Sequence, residues 1–163
     1  MTSFNGPAVH PKMQPITFEC SNVILASPLE ICQAIADVDR WLEFSGYAFL
    51  PGIASAVYVT HTVGMVGSRI RVRNTDGSEH MEEVIEWQDG EKVVMKLHNF
   101  TPPLSLLATH FLETWRFAAQ NGSTLVTRQL QMIPRHFWTR PLLWLISLLF
   151  RQAIAQHLKE MAG

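Results

Sequence analysis

The segment RIRVRNTDGSEHMEEVIEWQDGEKVVMKL, residues 69–97, decides the fold of this chain. Two turn dipeptides, Asp76-Gly77 and Asp89-Gly90, divide it into three short runs rich in Val, Ile and Met. Aspartate followed by glycine between such runs is typical of the tight turns that join antiparallel strands. The segment therefore predicts three consecutive strands of an antiparallel sheet.

The charges in this segment indicate the register of the predicted strands. A two-residue turn at the first dipeptide places Arg71 opposite Glu82 and Ile70 opposite Glu83. A three-residue turn at the second dipeptide places Glu82 opposite Lys96. Opposite charges then meet across three strands on one face of the sheet, as cross-strand pairing prefers.

The other face of these strands is predicted to be apolar and to face the core. Its apolar members are Ile70, Val72, Met81, Ile85, Val93, Met95 and Leu97. Arg69, Arg71 and Arg73 alternate on the charged face, where their acidic neighbours indicate a solvated surface. We therefore do not interpret these arginines as a nucleic-acid-binding stripe.

The chain on either side of this segment continues the pattern. Short runs and turns extend from Ala54 to Pro134 and predict a meander of about six strands. Ile16 to Leu25 predicts a first strand. Ser27-Pro28-Leu29-Glu30 is a capping box with proline at the first helical position, and Asp37 to Phe44 predicts a second short helix.

Residues 139–161 contain no glycine and predict one long C-terminal helix. Its apolar stripe consists of Leu143, Ile146, Phe150, Ile154, Leu158 and Met161. No other element is long enough to cover the apolar face of the sheet, so the helix is expected to lie across it. The predicted fold is α+β, a curved antiparallel sheet of about seven strands wrapped around this helix.

Four loose motifs are Ala26-Ser27-Pro28, the Asp37 to Trp41 segment, Leu50-Pro51-Gly52-Ile53 and Glu83-Val84-Ile85-Glu86-Trp87. In these motifs the chain resembles the START-related, birch-pollen-allergen-like superfamily, including its polyketide cyclase/dehydratase branch, over roughly residues 16–161. The resemblance implies a helix-grip fold with an apolar cavity between sheet and helix. Members of the superfamily bind lipids, sterols, quinones or polyketides, and only some are enzymes.

Length and composition exclude several classes of protein. The 163 residues are 47% hydrophobic and 17% charged, which excludes a disordered chain. The net charge of −1 gives no overall attraction for nucleic acid. We expect a flexible lead-in over residues 1–15 and a single ligand-binding domain over residues 16–163.

Two features bear on the cellular location. Cys20 and Cys32 are too few for a disulfide framework and indicate a reducing compartment. The longest apolar run, Pro141 to Phe150, is about half of the ~20 residues that a bilayer-spanning helix needs. We therefore expect a cytoplasmic protein that at most contacts a membrane at its periphery.

Three charged residues, Glu83, Glu113 and Arg128, interrupt the predicted inner face. The hairpin at Asn121-Gly122 places Glu113 opposite Arg128 or diagonal to it. Burying a charge is unfavourable unless it is paired, so these side chains either pair with one another or fix the polar head of a ligand. The residues expected to line the site are Ile70, Val72, Met81, Glu83, Ile85, Met95, Leu97, Phe111, Glu113, Trp115, Arg128, Leu130 and Ile154.

Three functions remain open at this point. The first is binding or carrying of a hydrophobic small molecule such as a lipid, a quinone or a polyketide. The second is a cyclase/dehydratase-type enzyme in which Glu83 or Glu113 transfers the proton and Arg128 polarises an oxygen. The third is a protein-interaction module of the chaperone-activator type with a filled core.

The state of the interior discriminates between these functions. An open cavity whose polar groups are paired favours a carrier, and an unpaired carboxylate facing the cavity favours an enzyme. A filled interior favours the interaction module. The seven histidines are scattered singly and no phosphate-binding or nucleophile motif is present, so we expect no metal and no cofactor.

The first half of the C-terminal helix is apolar on all sides. Trp144, Leu145, Leu148 and Leu149 fall off the stripe that covers the sheet. The apolar connection over residues 100–107 is predicted to lie at the same end of the meander. The two segments either cover each other or form a rim that contacts an anionic membrane or a second copy of the chain.

Overall fold

Seven antiparallel strands form one sheet in the order β1-β7-β6-β5-β4-β3-β2 in a computed structural model that describes residues 13–163. The strands are β1 (Ile16–Ile24), β2 (Ile53–Thr60), β3 (Arg69–Asn74), β4 (Glu79–Gln88), β5 (Lys92–His98), β6 (Ala108–Gln120) and β7 (Ser123–Pro134). The helices are α1 (Pro28–Ala36), α2 (Leu104–Leu107) and α3 (Arg140–Ala162), with 3-10 helices at Val38–Glu43 and Phe137–Thr139. The predicted α+β helix-grip fold is confirmed. Residues 1–12 of the predicted lead-in lie outside the described residues.

The capping box starts α1 as the sequence predicts. The backbone N–H of Ser27 donates to the carboxylate of Glu30 over 2.7 Å, and the N–H of Glu30 donates to Ser27 Oγ over 3.3 Å. These two hydrogen bonds satisfy donors that the first turn of a helix otherwise leaves free. The second short helix is also present, as the 3-10 helix at Val38–Glu43.

The long helix α3 lies along β1 and runs in the same direction. Cys20 Sγ donates to the carbonyl oxygen of Arg151, and Asn22 Nδ2 donates to that of Leu158. The predicted stripe is confirmed because Leu143, Ile154 and Leu158 are buried and Ile146, Phe150 and Met161 pack against the core. Within residues 13–163, no helix is long and apolar enough to cross a membrane.

The turn between β3 and β4 differs from the prediction by one residue. Asn74 pairs with Ser78 through an N–H···O bond of 2.8 Å, so the loop has three residues and Gly77 adopts φ 85°. Three-residue loops of this kind place glycine in the left-handed conformation. As a result Ile70 lies opposite Glu82 and Arg71 lies opposite Met81, and the predicted pairing of Arg71 with Glu82 is wrong.

A bulge on β4 changes the register once more. Between Val84 and Glu86 the pairing with β5 shifts by one residue, which leaves Ile85 unpaired. Gln88 pairs with Lys92, so the loop before β5 is Asp89-Gly90-Glu91, one residue later than the predicted pairing requires. The loop and the bulge together place Lys96 opposite Glu83, and the predicted pairing of Lys96 with Glu82 is wrong. Bulges increase the local twist and bend of a strand, and this one helps the sheet to curve around α3.

Candidate functional site

A cavity of about 430 Å³ lies between the concave face of the sheet and α3. This volume is typical of small-molecule sites in proteins. The wall is mainly apolar, and its apolar members from the sheet and α3 are Ile53, Met95, Leu97, Phe111, Trp115, Leu130, Ile146, Leu149, Phe150, Ile154 and Met161. Trp41 and Phe44 close one side, and Leu104 and Leu107 of α2 close another.

The hairpin between β6 and β7 places two charged side chains in this wall. Gln120 pairs with Ser123 across the two-residue turn, and this register puts Trp115 directly opposite Arg128. Glu113, two residues before Trp115, points to the same face because side chains alternate along a strand. Glu113 and Arg128 are therefore diagonal neighbours on the concave face.

Arg128 and Glu113 form a buried ion pair. Arg128 donates hydrogen bonds from Nε, over 3.0 Å, and from Nη2 to the same carboxylate oxygen, Oε1 of Glu113. Only 8% of the Arg128 side chain and 10% of the Glu113 side chain are exposed. Within residues 13–163, no group donates to Oε2 of Glu113. This second oxygen can still accept a hydrogen bond from a bound molecule.

His157 of α3 completes the cluster. Arg128 Nη1 donates to His157 Nδ1 over 2.9 Å. A guanidinium has only donors, so Nδ1 of His157 is the acceptor and Nε2 carries the proton. Burial, reinforced by the positive charge of Arg128, lowers the pKa of His157 to about 3. The imidazole is therefore neutral at physiological pH.

Trp115 packs against the same guanidinium. The Arg128 Cζ atom lies 4.0 Å from the centroid of the indole ring, which is the geometry of a cation–π contact. Trp115 Nε1 is buried and has no acceptor among residues 13–163. Glu113, Arg128 and His157 together carry no net charge, because the guanidinium balances the carboxylate and the imidazole is neutral.

A second polar pair lines the cavity from β4. Nε2 of His80 lies 3.0 Å from Oε1 of Glu82, and both side chains are close to buried. The charge pattern of the sequence predicts Glu82 on the outer face, and no role was predicted for His80. The one-residue shift after Asn74 is what turns Glu82 inward.

Three residues predicted for the cavity lie elsewhere, and all three are on β4. Glu83 is on the convex face, where its carboxylate lies 3.7 Å from Nε2 of His98, too far for a hydrogen bond. Met81 shares that face, and Ile85 lies at the bulge and is largely exposed. The prediction was wrong for these residues because a shift of one residue moves every side chain of a strand to the other face.

The other predicted residues face the concave side. Ile70 and Val72 are completely buried in the core and are not part of the cavity wall. The predicted residues that line the cavity are Met95, Leu97, Phe111, Glu113, Trp115, Arg128, Leu130 and Ile154. His157 is not among the predicted residues, although its spacing of three from Ile154 and four from Met161 puts it on the inner stripe of α3. Leu149, predicted to lie off that stripe, also lines the cavity, so this prediction is wrong.

The two buried carboxylates of the cavity wall both have a partner, Arg128 for Glu113 and His80 for Glu82. Within residues 13–163, no three His, Cys, Asp or Glu side chains are placed to hold a metal ion. The cavity can bind a molecule that is mostly apolar. Its polar groups can donate a hydrogen bond to one polar group of that molecule and accept one from it.

Solved structures share this arrangement of sheet and helix. A START superfamily protein from Mycobacterium smegmatis matches with a TM-score of 0.69 and 12% identity, over 90% of this chain and 96% of that one. The protein has a START-like helix-grip fold. Ara h 8.0201 matches with a TM-score of 0.62 and 15% identity, over 90% of this chain and 99% of its own. These two matches confirm, at the level of the fold, the resemblance found in the sequence.

DynU16, a putative protein in the dynemicin biosynthetic locus, shares the helix-grip fold over part of its length. It matches with a TM-score of 0.54 and 17% identity, over 88% of this chain and 47% of that one. No protein-family model and no curated protein sequence matches the chain. The comparisons therefore establish the fold, and the function has to be argued from the cavity.

Proposed function

We propose that the protein binds and carries a hydrophobic small molecule whose polar end is uncharged. The observation that supports this function is the electrically neutral cluster of Glu113, Arg128 and His157 between the apolar side chains of the sheet and α3 in a mainly apolar cavity. Sites of this type bury most of a ligand's apolar surface and use a few polar groups to orient it.

The balance of charge selects the polar end of the ligand. Glu113 already neutralises Arg128, so an anionic head would bring a second negative charge close to a buried carboxylate. A carbonyl can instead accept a hydrogen bond from Nε2 of His157, and a hydroxyl can donate to Oε2 of Glu113. Ketones, quinones, sterols and polyketides carry such groups, and a lipid alcohol does too.

The pairing of the inward carboxylates favours a carrier over an enzyme. Glu83, one of the two acid–base candidates, lies on the convex face and does not reach the cavity. A cyclase/dehydratase-type reaction through Glu113 is the second candidate function, and the unused oxygen Oε2 is the observation in its favour. The open volume argues against an interaction module, which would have a filled core.

We also propose a reducing, cytoplasmic location. Cys20 and Cys32 are both free thiols, and Cys32 is buried, where it accepts a hydrogen bond from the backbone N–H of Gly90. Burial raises the pKa of Cys32, so its thiol stays protonated and unreactive. Cys32 therefore packs in the core and is not a redox group.

A matched ligand series tests the proposed function by isothermal titration calorimetry. The probes are naphthalene, 2-acetylnaphthalene and 2-naphthoate, which share one ring system and differ in the group they present. We expect the ketone to bind at least about tenfold more tightly than the carboxylate. The ketone gains a hydrogen bond from His157, whereas the carboxylate is repelled by Glu113. His157→Phe should reduce the affinity for the ketone to that for naphthalene, and Gln156→Ala, on the exposed face of the same helix, should not.

Two results would overturn the proposal. One is tightest binding of the carboxylate. The other is the absence of any binding together with native mass spectrometry of the purified protein that shows no retained adduct of lipid size.

A further inference from the structure

One end of the molecule exposes a group of large apolar side chains. We call it the apolar rim, and it consists of Leu106, Phe137, Trp138, Leu142, Trp144, Leu145 and Leu148. Between 43% and 76% of each residue is exposed. Single exposed apolar residues are ordinary, but seven on two adjoining chain segments, two of them tryptophans, are typical of an interaction site.

The two chain segments that form the apolar rim do contact each other. Arg135 donates from Nε to the carbonyl oxygen of Ser105 over 2.6 Å, and Thr139 donates to that of Leu107 over 3.0 Å. These hydrogen bonds fix α2 against the start of α3. The contact does not cover the rim, because the apolar side chains listed above point away from it.

Arginines surround the apolar rim. Arg135, Arg140 and Arg151 lie beside it, and none of the three forms an ion pair within residues 13–163. Arg140 and Arg151 also flank a groove of about 380 Å³ between α3 and β1 whose apolar wall includes Trp144 and Leu148. The rim is therefore apolar at its centre and positively charged around it.

We propose that the apolar rim docks on an anionic lipid bilayer. The tryptophan and leucine side chains would enter the region between head groups and acyl chains, and the guanidinium groups would bind lipid phosphates and carboxylates. Surfaces that combine Trp, Phe and Leu with Arg bind the bilayer interface in this way.

Charge distinguishes the bilayer from a second copy of the chain. A symmetric dimer uses the same patch on both subunits. Pairing two apolar rims would bring Arg135, Arg140 and Arg151 of one copy close to the same residues of the other. The two segments around the rim, residues 99–112 and 134–159, contain no Asp or Glu that could neutralise them. An anionic bilayer neutralises the same charges.

The position of α2 links the apolar rim to the cavity. Leu104 and Leu107 form part of the cavity wall, and Leu106, between them, is 63% exposed on the rim. A bilayer docked at the rim would thus contact a segment that also closes the cavity. The docking itself does not depend on which molecule the cavity binds.

Vesicle co-sedimentation tests the proposal. The probes are vesicles of phosphatidylcholine alone and vesicles with about one third phosphatidylserine, each at low and high salt. We expect the protein to sediment with the anionic vesicles at low salt and to stay soluble with the neutral ones. Arg140→Gln/Arg151→Gln should weaken partitioning about 30-fold, and Trp138→Ser/Leu145→Ser at least about tenfold.

Matched controls come from the opposite edge of the sheet, on β2 and β3. Val57→Ser/Val59→Ser removes two apolar residues of similar exposure, and Arg69→Gln/Arg71→Gln removes two exposed arginines. Both control variants should bind the anionic vesicles like the wild type. Equal losses in the controls, or a wild type that stays soluble with anionic vesicles, would overturn the proposal. A rim-dependent dimer in ultracentrifugation that binds no vesicles would also overturn it, in favour of a second copy.

Discussion

The two halves of α3 serve the same core on the inside and differ on the outside. Between Arg140 and Leu149 the outward positions are apolar, with Leu142, Leu145 and Leu148 exposed. Between Phe150 and Ala162 the outward positions are polar and include Gln152, Gln156 and Lys159. A helix that only had to cover the sheet would be polar outside along its whole length.

This difference separates residues needed for folding and binding from residues available for contact with other molecules. The inner stripe continues through both halves, and the second half adds His157 to the polar cluster. The apolar outer face occurs only where α3 begins, next to α2 and the cavity wall. The outer surface of the first half therefore carries the proposed docking site, and the inner surface carries the proposed ligand site.

The largest expected effect compares one inner and one outer position of α3. Ile154→Asp should lower the free energy of unfolding by more than about 4 kcal/mol, because it buries an unpaired charge. Leu145→Asp should change it by only about 0.5 kcal/mol, since Leu145 is 53% exposed. Urea denaturation measures both values. Equal losses would contradict the division of the helix into an inner and an outer face.

The next effect concerns Arg128, whose guanidinium donates a hydrogen bond to His157 in the second half of α3. Arg128→Met should lower the free energy of unfolding by about 3–5 kcal/mol, because it leaves Glu113 buried without its partner. The double variant Glu113→Leu/Arg128→Met should recover most of this loss, since apolar side chains often replace a buried ion pair without penalty. A double variant as unstable as the single one would show that the pair is not the source of the loss.

The smallest effect is a dependence on pH. The folded-state pKa of His157 is lowered to about 3, so between about pH 6.5 and pH 3 the unfolded chain binds more protons than the folded one. Stability is therefore lost as the pH falls through this range. At pH 7, His157→Phe should lower the free energy of unfolding by about 1 kcal/mol, the value of a hydrogen bond.

At pH 5 the order of stability should reverse, so that His157→Phe is more stable than the wild type. The wild type then loses about 2 kcal/mol that the variant, which has no histidine at this position, does not lose. Urea denaturation at the two pH values measures the difference, and titration of all other groups cancels between the proteins. If the free energies of unfolding of the wild type and the variant differ by the same amount at pH 5 and pH 7, His157 is not buried as a neutral ring.

Much of the fold was predictable because its signals are local. The capping box at Ser27 and the glycines between the strands act within a few residues, and the spacing of Leu143, Ile154 and Leu158 identifies the inner face of α3. Glu113 and Arg128 were found because a charge in an alternating apolar strand stands out in the sequence.

The errors on β4 have a physical cause that the sequence does not display. Asp76-Gly77 is compatible with a two-residue turn and with a three-residue loop that ends in a left-handed glycine. The bulge at Ile85 has no marker residue. Because β4 carries charged or polar side chains on both faces, burial did not decide between the registers, and Glu82 and Glu83 were exchanged.

Trp115 gives the protein an optical property. Its indole is buried against a cation, so its emission is expected at short wavelength, with an intensity that depends on the nearby guanidinium. Trp138 and Trp144, on the apolar rim, are 63% and 50% exposed and are expected to emit at long wavelength. Filling of the cavity should then change the short-wavelength intensity, and transfer to a bilayer should shift the long-wavelength emission to the blue. In a variant in which Trp41→Phe and Trp87→Phe remove the other two tryptophans, one spectrum of the unlabelled protein would report both events separately.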